Sequence, residues 1–309
     1  PVENANLDPN HSQEELPSDQ VLWRYMSFAT FAALLSQGAL HFSRCDGFGD
    51  PFEGALGTIG SRDAILGPLR EAGTCLAQEL LAYAADAIVS VRERSAPRAT
   101  LSGPAWEGYA YMAETPERRE ACIARLSSRF GLGLEAALCA EYLRTFVSCW
   151  HAGEHESEAM WRLYSKDALE GVAIRTTGGW LREALLPKRP TVAEVEYRDD
   201  YVWKPFDGEF RRFLTKRRAF AHEHEVRAVL EDVGAGRQGA KGILVPARLN
   251  ILIQRVVVSP YSPAWLLDVV RDLVGRFGLK AEVLASGMAG QPYVPLVPSG
   301  EESDVGEAG

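Results

Sequence analysis

Phe220-Ala-His-Glu-His-Glu-Val-Arg-Ala-Val-Leu230 is the stretch whose reading decides the fold. Read as a β-strand, with side chains alternating at period two, it puts Glu223, Glu225 and Arg227 on one face and His222, His224 and Val226 on the other. Two carboxylates two residues apart then point the same way, about 6 to 7 Å from each other. They repel unless a cation, a metal or a polar ligand sits opposite. The segment follows a cationic run, Lys216-Arg217-Arg218, and ends in Ala228-Val-Leu230, which reads as the buried end of a core strand. The competing reading is an edge-strand face whose charges are solvated.

Working outward, the 309 residues suffice for a substantial core, and 46% hydrophobic with 24% charged residues is the balance of a soluble globular protein. A net charge of −9 argues against a surface that tracks nucleic-acid phosphates throughout. No apolar run approaches the length of a membrane span and no leader pattern opens the chain, so the expectation is a cytoplasmic protein with no membrane partner. Cys45, Cys75, Cys122, Cys139 and Cys149 are odd in number, scattered and without a C-x-x-C pair, which suits reduced thiols.

The pattern predicts an α+β fold with a mixed or split β-sheet core, flanking helices and a helical insertion. Residues 1–20 read as a flexible N-terminus, 21–290 as a single α+β domain and 291–309 as a disordered acidic tail. Val21–Met26 reads as a strand carrying Arg24. Ser27 caps a helix over Phe28–Gln37, Gly38 ends it, and Ala39–Ser43 is a second strand. Arg44–Gly54 is dense in turn formers, and its Asp50 and Glu53 either line a site or cap a tight turn. From about 61 to 144 the chain turns to Ala, Leu, Arg and Glu, with helices over Ile65–Arg94 (interrupted at Gly73-Thr74), Pro116–Arg129 and Leu134–Leu143. Thr145–Trp150, Gly171–Thr177, Val192–Tyr197, Gly242–Pro246, Ile251–Ser259 and Lys280–Ala285 read as strands, with Ile251–Ser259 central. Ala159–Ser165, Gly179–Leu186, Phe206–Arg218 and a Ser262-capped helix to Arg276 complete the list of helices.

Four segments together resemble the large bacterial family called domain of unknown function 2971: Leu22-Trp-Arg-Tyr25 with Gly38-Ala-Leu-His-Phe-Ser43, Phe48-Gly-Asp-Pro-Phe-Glu53, Met160-Trp-Arg-Leu-Tyr-Ser165 leading to Gly171-Val-Ala-Ile174, and His224-Glu-Val-Arg227. Order and separations match over about residues 21–286 outside the insertion. Gly49, Ser165 and Val226 depart from the family's usual Asn, Ala and Trp. A second resemblance supplies chemistry. An Arg on the first strand, a short helix, a G-x-L-x-F-S strand and a late E-x-E strand are similar to the layout of ADP-ribosyltransferases, which bind NAD in a cleft of a split sheet.

That resemblance implies NAD as substrate and an oxocarbenium-like transition state stabilised by a carboxylate. It assigns Glu225 to the ribose, Glu223 to the acceptor, and Arg24 to the pyrophosphate or ribose. Ser43 would hold the strand edge and Trp161 or Tyr164 would stack on nicotinamide, with Tyr25, Asp50, Glu53 and Arg227 as further substrate-binding residues. The acceptor would be a protein, a nucleic acid or water, no metal is expected, and the biological setting would be a bacterial toxin, an effector or phage defence.

Two other readings compete. Asp50, Glu53, Glu223 and Glu225 would suit a divalent cation in a metal-dependent hydrolase or nuclease, and His222 and His224 with His151 or His155 a zinc ion. Alternatively, Arg24, Asp50, Glu53, Glu225 and Arg227 form a buried ion-pair network that fixes strand register in a binding module without chemistry.

Overall fold

The computed structural model describes residues 16–93, 115–164, 170–186, 188–202, 208 and 210–290. The expected lead-in up to residue 15, residues 94–114 of the insertion, Ser165, the start of the helix expected from Phe206 and the tail 291–309 lie outside them.

The fold is α+β with a mixed sheet. The first unit forms as its local signals dictate: β1 (Val21–Ser27), α1 (Phe28–Gln37) and β2 (Ala39–Arg44). Ser27 accepts a hydrogen bond from the amide of Thr30 at 3.2 Å, and Gly38 leaves α1 at φ 60°. Two long helices follow, α2 (Arg62–Glu93) and α3 (Pro116–Arg144), packed on each other. Neither breaks where the sequence suggested. Gly73 is the seat of the Phe130 ring, where a Cβ would come within 2.7 Å of Cδ1, so the glycine serves helix packing rather than a stop. Arg70 likewise packs over Gly131 within α3.

Then come β3 (Thr145–Ala152), α4 (Glu158–Tyr164), β4 (Gly171–Thr177), α5 (Gly178–Ala184), β5 (Thr191–Glu194) and β6 (Glu196–Tyr197). The strand expected over Val192–Tyr197 is cut at Val195, whose amide bonds the carbonyl of Glu225 as the chain changes partner strand. The basic helix expected to reach Arg218 is a 3₁₀ turn, Arg211–Leu214, followed by β7 (Thr215–Lys216), because residues 215–216 pair in parallel with β6. A second 3₁₀ segment, Arg218–Glu223, runs to His224 in the left-handed region at φ 40°, and β8 (Glu225–Glu231) begins only there. Glu223 is therefore not on the strand. Its carbonyl instead meets His151 Nδ1 at 2.6 Å, while the His224 amide closes the turn on Ala221.

α6 (Val233–Arg237), β9 (Gly242–Pro246), α7 (Leu249–Leu252), β10 (Arg255–Val258), α8 (Trp265–Arg276) and β11 (Glu282–Ala285) complete the described chain. The long strand expected over Ile251–Ser259 is a helical turn plus a four-residue strand, and β10 lies next to the edge strand β11 instead of at the centre. Ser262 does not cap α8; it sits in a turn whose amide bonds Ser259 O. The chain is ordered before Val21: Leu16 is buried in the main core, and Arg182 binds its carbonyl at 3.0 Å.

Strands run β11-β10-β4-β1-β3-β2-β9, with β8 joined to β3 and β5 on β8's other side. Only β10–β11 is parallel in this sheet. One face carries the large apolar core under α1, α5, α7 and α8, including Leu22, Met26, Trp150, Val226 and Ala228. The other face carries two smaller clusters, one around Trp23, Tyr25 and Trp161 and one around Val147, Phe213 and Val229. Apolar packing on that face is interrupted between them.

Gly54 joins this interrupted face to the helical pair. At φ 69° it stands where a Cβ would be 2.9 Å from Tyr142 and 3.0 Å from Phe213. Gly54→Ala is expected to lower stability by about 1–3 kcal/mol through backbone strain and overpacking, read as a lower urea midpoint at unchanged m-value.

Candidate functional site

β3 is where the sheet divides. One edge of β3 pairs with β8 along its length, from Thr145↔Glu231 to His151↔Glu225. The other edge is shared: Trp23 and Leu22 of β1 pair with His151 and Ala152, and Ser43 and Arg44 of β2 pair with Val147 and Phe146. Among the described residues, 148–150 have no partner strand on that edge. β1 and β2 splay away from each other there, and the sheet opens.

Arg24 crosses this opening. Its Nη1 donates to Ser148 Oγ of β3, its Nη2 to the His41 carbonyl of β2 at 3.2 Å, and its guanidinium lies 5.6 Å from the Trp150 ring centroid. All three contacts are with neutral groups. No carboxylate among the described residues pairs with Arg24, although burial lowers its pKa from the ordinary guanidinium value.

A cavity of about 710 Å³ occupies the opening. It is lined by Trp23 and Tyr25 from one side of β1 and by Arg24 and Met26 from the other, as a space that passes between strands must be. Its far wall is charged. Lys216 Nζ stands 3.3 Å from Glu53 Oε1, 2.8 Å from Glu223 Oε2 and 3.1 Å from Glu225 Oε2. Arg227, fully buried, grips Glu225 with Nε and Nη2 at 2.8 and 3.0 Å, gives Nη1 to the Phe213 carbonyl at 2.7 Å, and brings Nη2 within 2.7 Å of Glu53 Oε2. That last approach is a charge contact without hydrogen-bond alignment, since Glu53 Oε2 has no aligned donor.

The electrostatics follow from this geometry. Burial pushes the Glu225 carboxyl up, but Arg227 and then Lys216 pull it further down, to about 2. Burial likewise disfavours the cations of Arg227 and Lys216, and Glu225 ahead of Glu53 outweighs it, so both pKa values stand above their ordinary range. The Cys149 thiol, beside Glu225, is raised well above the usual thiol range by burial and so stays protonated. Glu223 has one cationic partner among the described residues, where Glu53 and Glu225 have two each. Its Oε2 meets Lys216, and its Oε1 makes no hydrogen bond among the described residues.

Most of the residues expected at a site are thus brought together, and some are not. Arg24, Tyr25, Ser43, Asp50, Glu53, Tyr164, Glu223, Glu225 and Arg227 all line the cavity. Trp161 does not: it is fully buried, its ring packs edge-on against Tyr25 at 4.8 Å, and its Nε1 donates to Glu156, so the helical Trp/Tyr pair divides into a core residue and an exposed Tyr164. Tyr25 lines the cavity while its hydroxyl accepts from the Ser157 amide at 2.8 Å. Asp50 stands apart from the other carboxylates. It is clamped at both oxygens by Arg217, at 3.0 and 2.9 Å, and caps the amide of Phe52 at 3.1 Å. Arg217 in turn lies 4.8 Å from the Phe52 ring, at the rim.

The sequence did not single out Lys216 as the common partner of three glutamates, nor Tyr197, whose hydroxyl accepts from the Glu225 amide at 2.7 Å; His151, named as a possible zinc ligand, instead supports the Glu223 turn through that residue's carbonyl. The only signal for Lys216 was its place at the head of a cationic run. The point shared by Glu53, Glu223 and Glu225 is filled by its ammonium, and among the described residues no group of three or more His, Cys, Asp or Glu is disposed to hold a metal ion. His151 and His224 rings are 6.1 Å apart. No described helix is long and apolar enough to cross a membrane.

No protein-family model, no curated protein and no solved structure matches this chain.

Because Glu225 is ionised down to about pH 2 in the folded chain, its pairing contributes stability fully above its ordinary pKa of 4.5 and loses it as pH falls toward that lower value. Glu225→Gln, which leaves Arg227 short of a buried partner, is expected to cost about 3–5 kcal/mol at neutral pH. Urea unfolding of both proteins is expected to show that gap narrowing as pH falls from about 4.5 to about 2.

Proposed function

We propose that the cavity in the divided sheet binds a nucleotide carrying an N-glycosidic bond, NAD foremost, and transfers its ADP-ribosyl group to an acceptor or to water. The observation that carries this reading is the pairing of opposites across one cavity: a guanidinium without a carboxylate partner at one wall and a glutamate with an unused oxygen at the other. Arg24 suits the pyrophosphate, because a charge-assisted bond to phosphate supplies the anion it lacks. A volume of about 710 Å³ falls inside the range of about 300–1,000 Å³ usual for ligand pockets.

The roles of the two glutamates then separate. Glu225, held by Arg227 and Lys216, is a fixed anion that orients a ribose hydroxyl and faces the positive charge developing at the anomeric carbon. Glu223 is the acid–base group. As the glycosidic bond breaks, nicotinamide leaves with the bonding electrons, the acceptor's oxygen or nitrogen attacks the sugar cation, and Glu223 takes the acceptor's proton. Tyr164 and Phe220, both at the cavity, offer aromatic faces to the nicotinamide. An enzyme of this type fits a bacterial toxin, an effector or phage defence.

A second reading has one observation in its favour. Glu53, Glu225, Lys216 and Arg227 already form a closed ion-pair network, as in a pocket that binds its ligand without chemistry.

The deciding experiment is a thermal-shift and nicotinamide-release assay with NAD, in the presence and absence of a chelator. Expected are a raised melting temperature and release that survives chelation. Glu223→Gln is expected to lower turnover about 100-fold or more while NAD still binds. Arg24→Met is expected to weaken NAD binding about 10- to 100-fold, the loss of a charged hydrogen bond. Binding without release would favour the non-catalytic pocket, and release abolished by the chelator would favour metal-assisted hydrolysis. If NAD neither binds nor is consumed, the reading is wrong.

A further inference from the structure

A second cavity, about 470 Å³, opens between α2, α3 and the loop that follows Glu53. It is separate from the first although the two share a wall: Glu53 lines the first and Gly54 the second, and Tyr142, lining the second, donates its hydroxyl to the Glu53 carbonyl at 3.3 Å. Its lining is largely apolar, with Leu56, Ile65, Leu66, Leu138 and Tyr142.

Among the described residues two cations line this cavity, Arg62 and Arg212, and Arg212 is the one without a hydrogen-bonded carboxylate. Arg212 is 3% exposed, and its guanidinium lies 4.7 Å from the Phe213 ring centroid. Nη2 donates to the Leu138 carbonyl at 2.9 Å. Nε has no hydrogen-bond partner, the nearest carboxylate oxygen being that of Glu141 at 3.7 Å, and no hydrogen bond from Nη1 is found among the described residues. Burial, ahead of the opposing pull of Glu141, lowers its pKa from the ordinary guanidinium value, which marks the charge as under-compensated. Arg62, also at this cavity, is already matched by Glu135 at 2.8 Å. A buried guanidinium with unused donors beside an apolar space is costly unless an anion reaches it.

We propose that this cavity binds a small amphipathic carboxylate, its carboxylate against Arg212 and its hydrocarbon part against Ile65, Leu66 and Leu138. Nη1, the guanidinium nitrogen that neither bonds Leu138 nor lies sealed from solvent, is placed to donate a charge-assisted hydrogen bond to the carboxylate, and the apolar walls take the chain that water rejects. The site accordingly discriminates against an alcohol or an amine of equal length.

Two exposed thiols provide the test. Cys139 lines the cavity, whereas Cys75, on α2, does not. Iodoacetamide labelling of the full chain, followed residue by residue by peptide mass analysis, is run with octanoate, octanol and octylamine as probes. Octanoate at about four times its Kd is expected to slow labelling of Cys139 about fivefold, the fraction of protein left free, with Cys75 unchanged. Arg212→Met is expected to abolish the protection. Ala55→Trp, which fills the cavity from a partly exposed loop position and leaves Arg212 in place, is expected to do the same and serves should the first variant not fold. Protection by octanol equal to that by octanoate, equal slowing at Cys75, or no protection at octanoate concentrations up to the millimolar range would overturn the proposal.

Discussion

The grip of Arg227 on Glu225 and Glu53 organises everything around it. Arg227 and Glu225 come from β8, Glu53 from the loop after β2, and the carbonyl that receives the third nitrogen from Phe213. Lys216 from β7 then closes the ring through the same carboxylates and Glu223. Desolvating five charges is expensive, and removal of Arg227 or Glu225 leaves buried partners short of counter-charge at low dielectric. The network therefore holds five chain segments in one geometry, where hydrocarbon packing of equal volume would tolerate small slips. That rigidity is what a wall of preorganised charge requires.

The position of the wall follows from the division of the sheet. With β1 and β2 both competing for one edge of β3, neither pairs along its full length, and the backbone between their two short contacts is left open. On one face, the large core under α1, α5, α7 and α8 bridges the gap. On the other face the apolar clusters stop short of each other, and charged and aromatic side chains fill the interval. Arg24 spans the opening as a strut between three strands while keeping its charge unmatched. Structural support and ligand recognition thus fall on the same residue.

Much of this was legible in the residues. Ser27 and Gly38 bracket α1 because capping and a positive φ are local requirements. The alternation over 225–230 sends Glu225 and Arg227 to one face and Val226, Ala228 and Leu230 to the other, since pleating is local too. Where the reading failed, long-range contacts had overruled local preference. Gly73 looked like a helix stop and is a seat for Phe130. The run ending at Arg218 looked helical, and pairing with β6 made part of it strand. Glu223 looked like a strand residue and lies in a 3₁₀ turn, yet reaches the same cavity. Trp161 and Tyr164 looked equivalent until packing against Tyr25 buried one of them.

The sequence by itself determined the α+β class with a mixed sheet, the helices between β2 and β3, and the shared face of Glu225 and Arg227, because hydrophobic period, caps and turn formers act over a few residues. Which charge meets which was decided by tertiary structure alone. Asp50 pairs with Arg217, 167 positions along the chain, and Lys216 rather than any neighbour in its own run becomes the hub of three glutamates. Coulomb attraction depends on distance in space and on the dielectric around the pair, neither of which is written in sequence order.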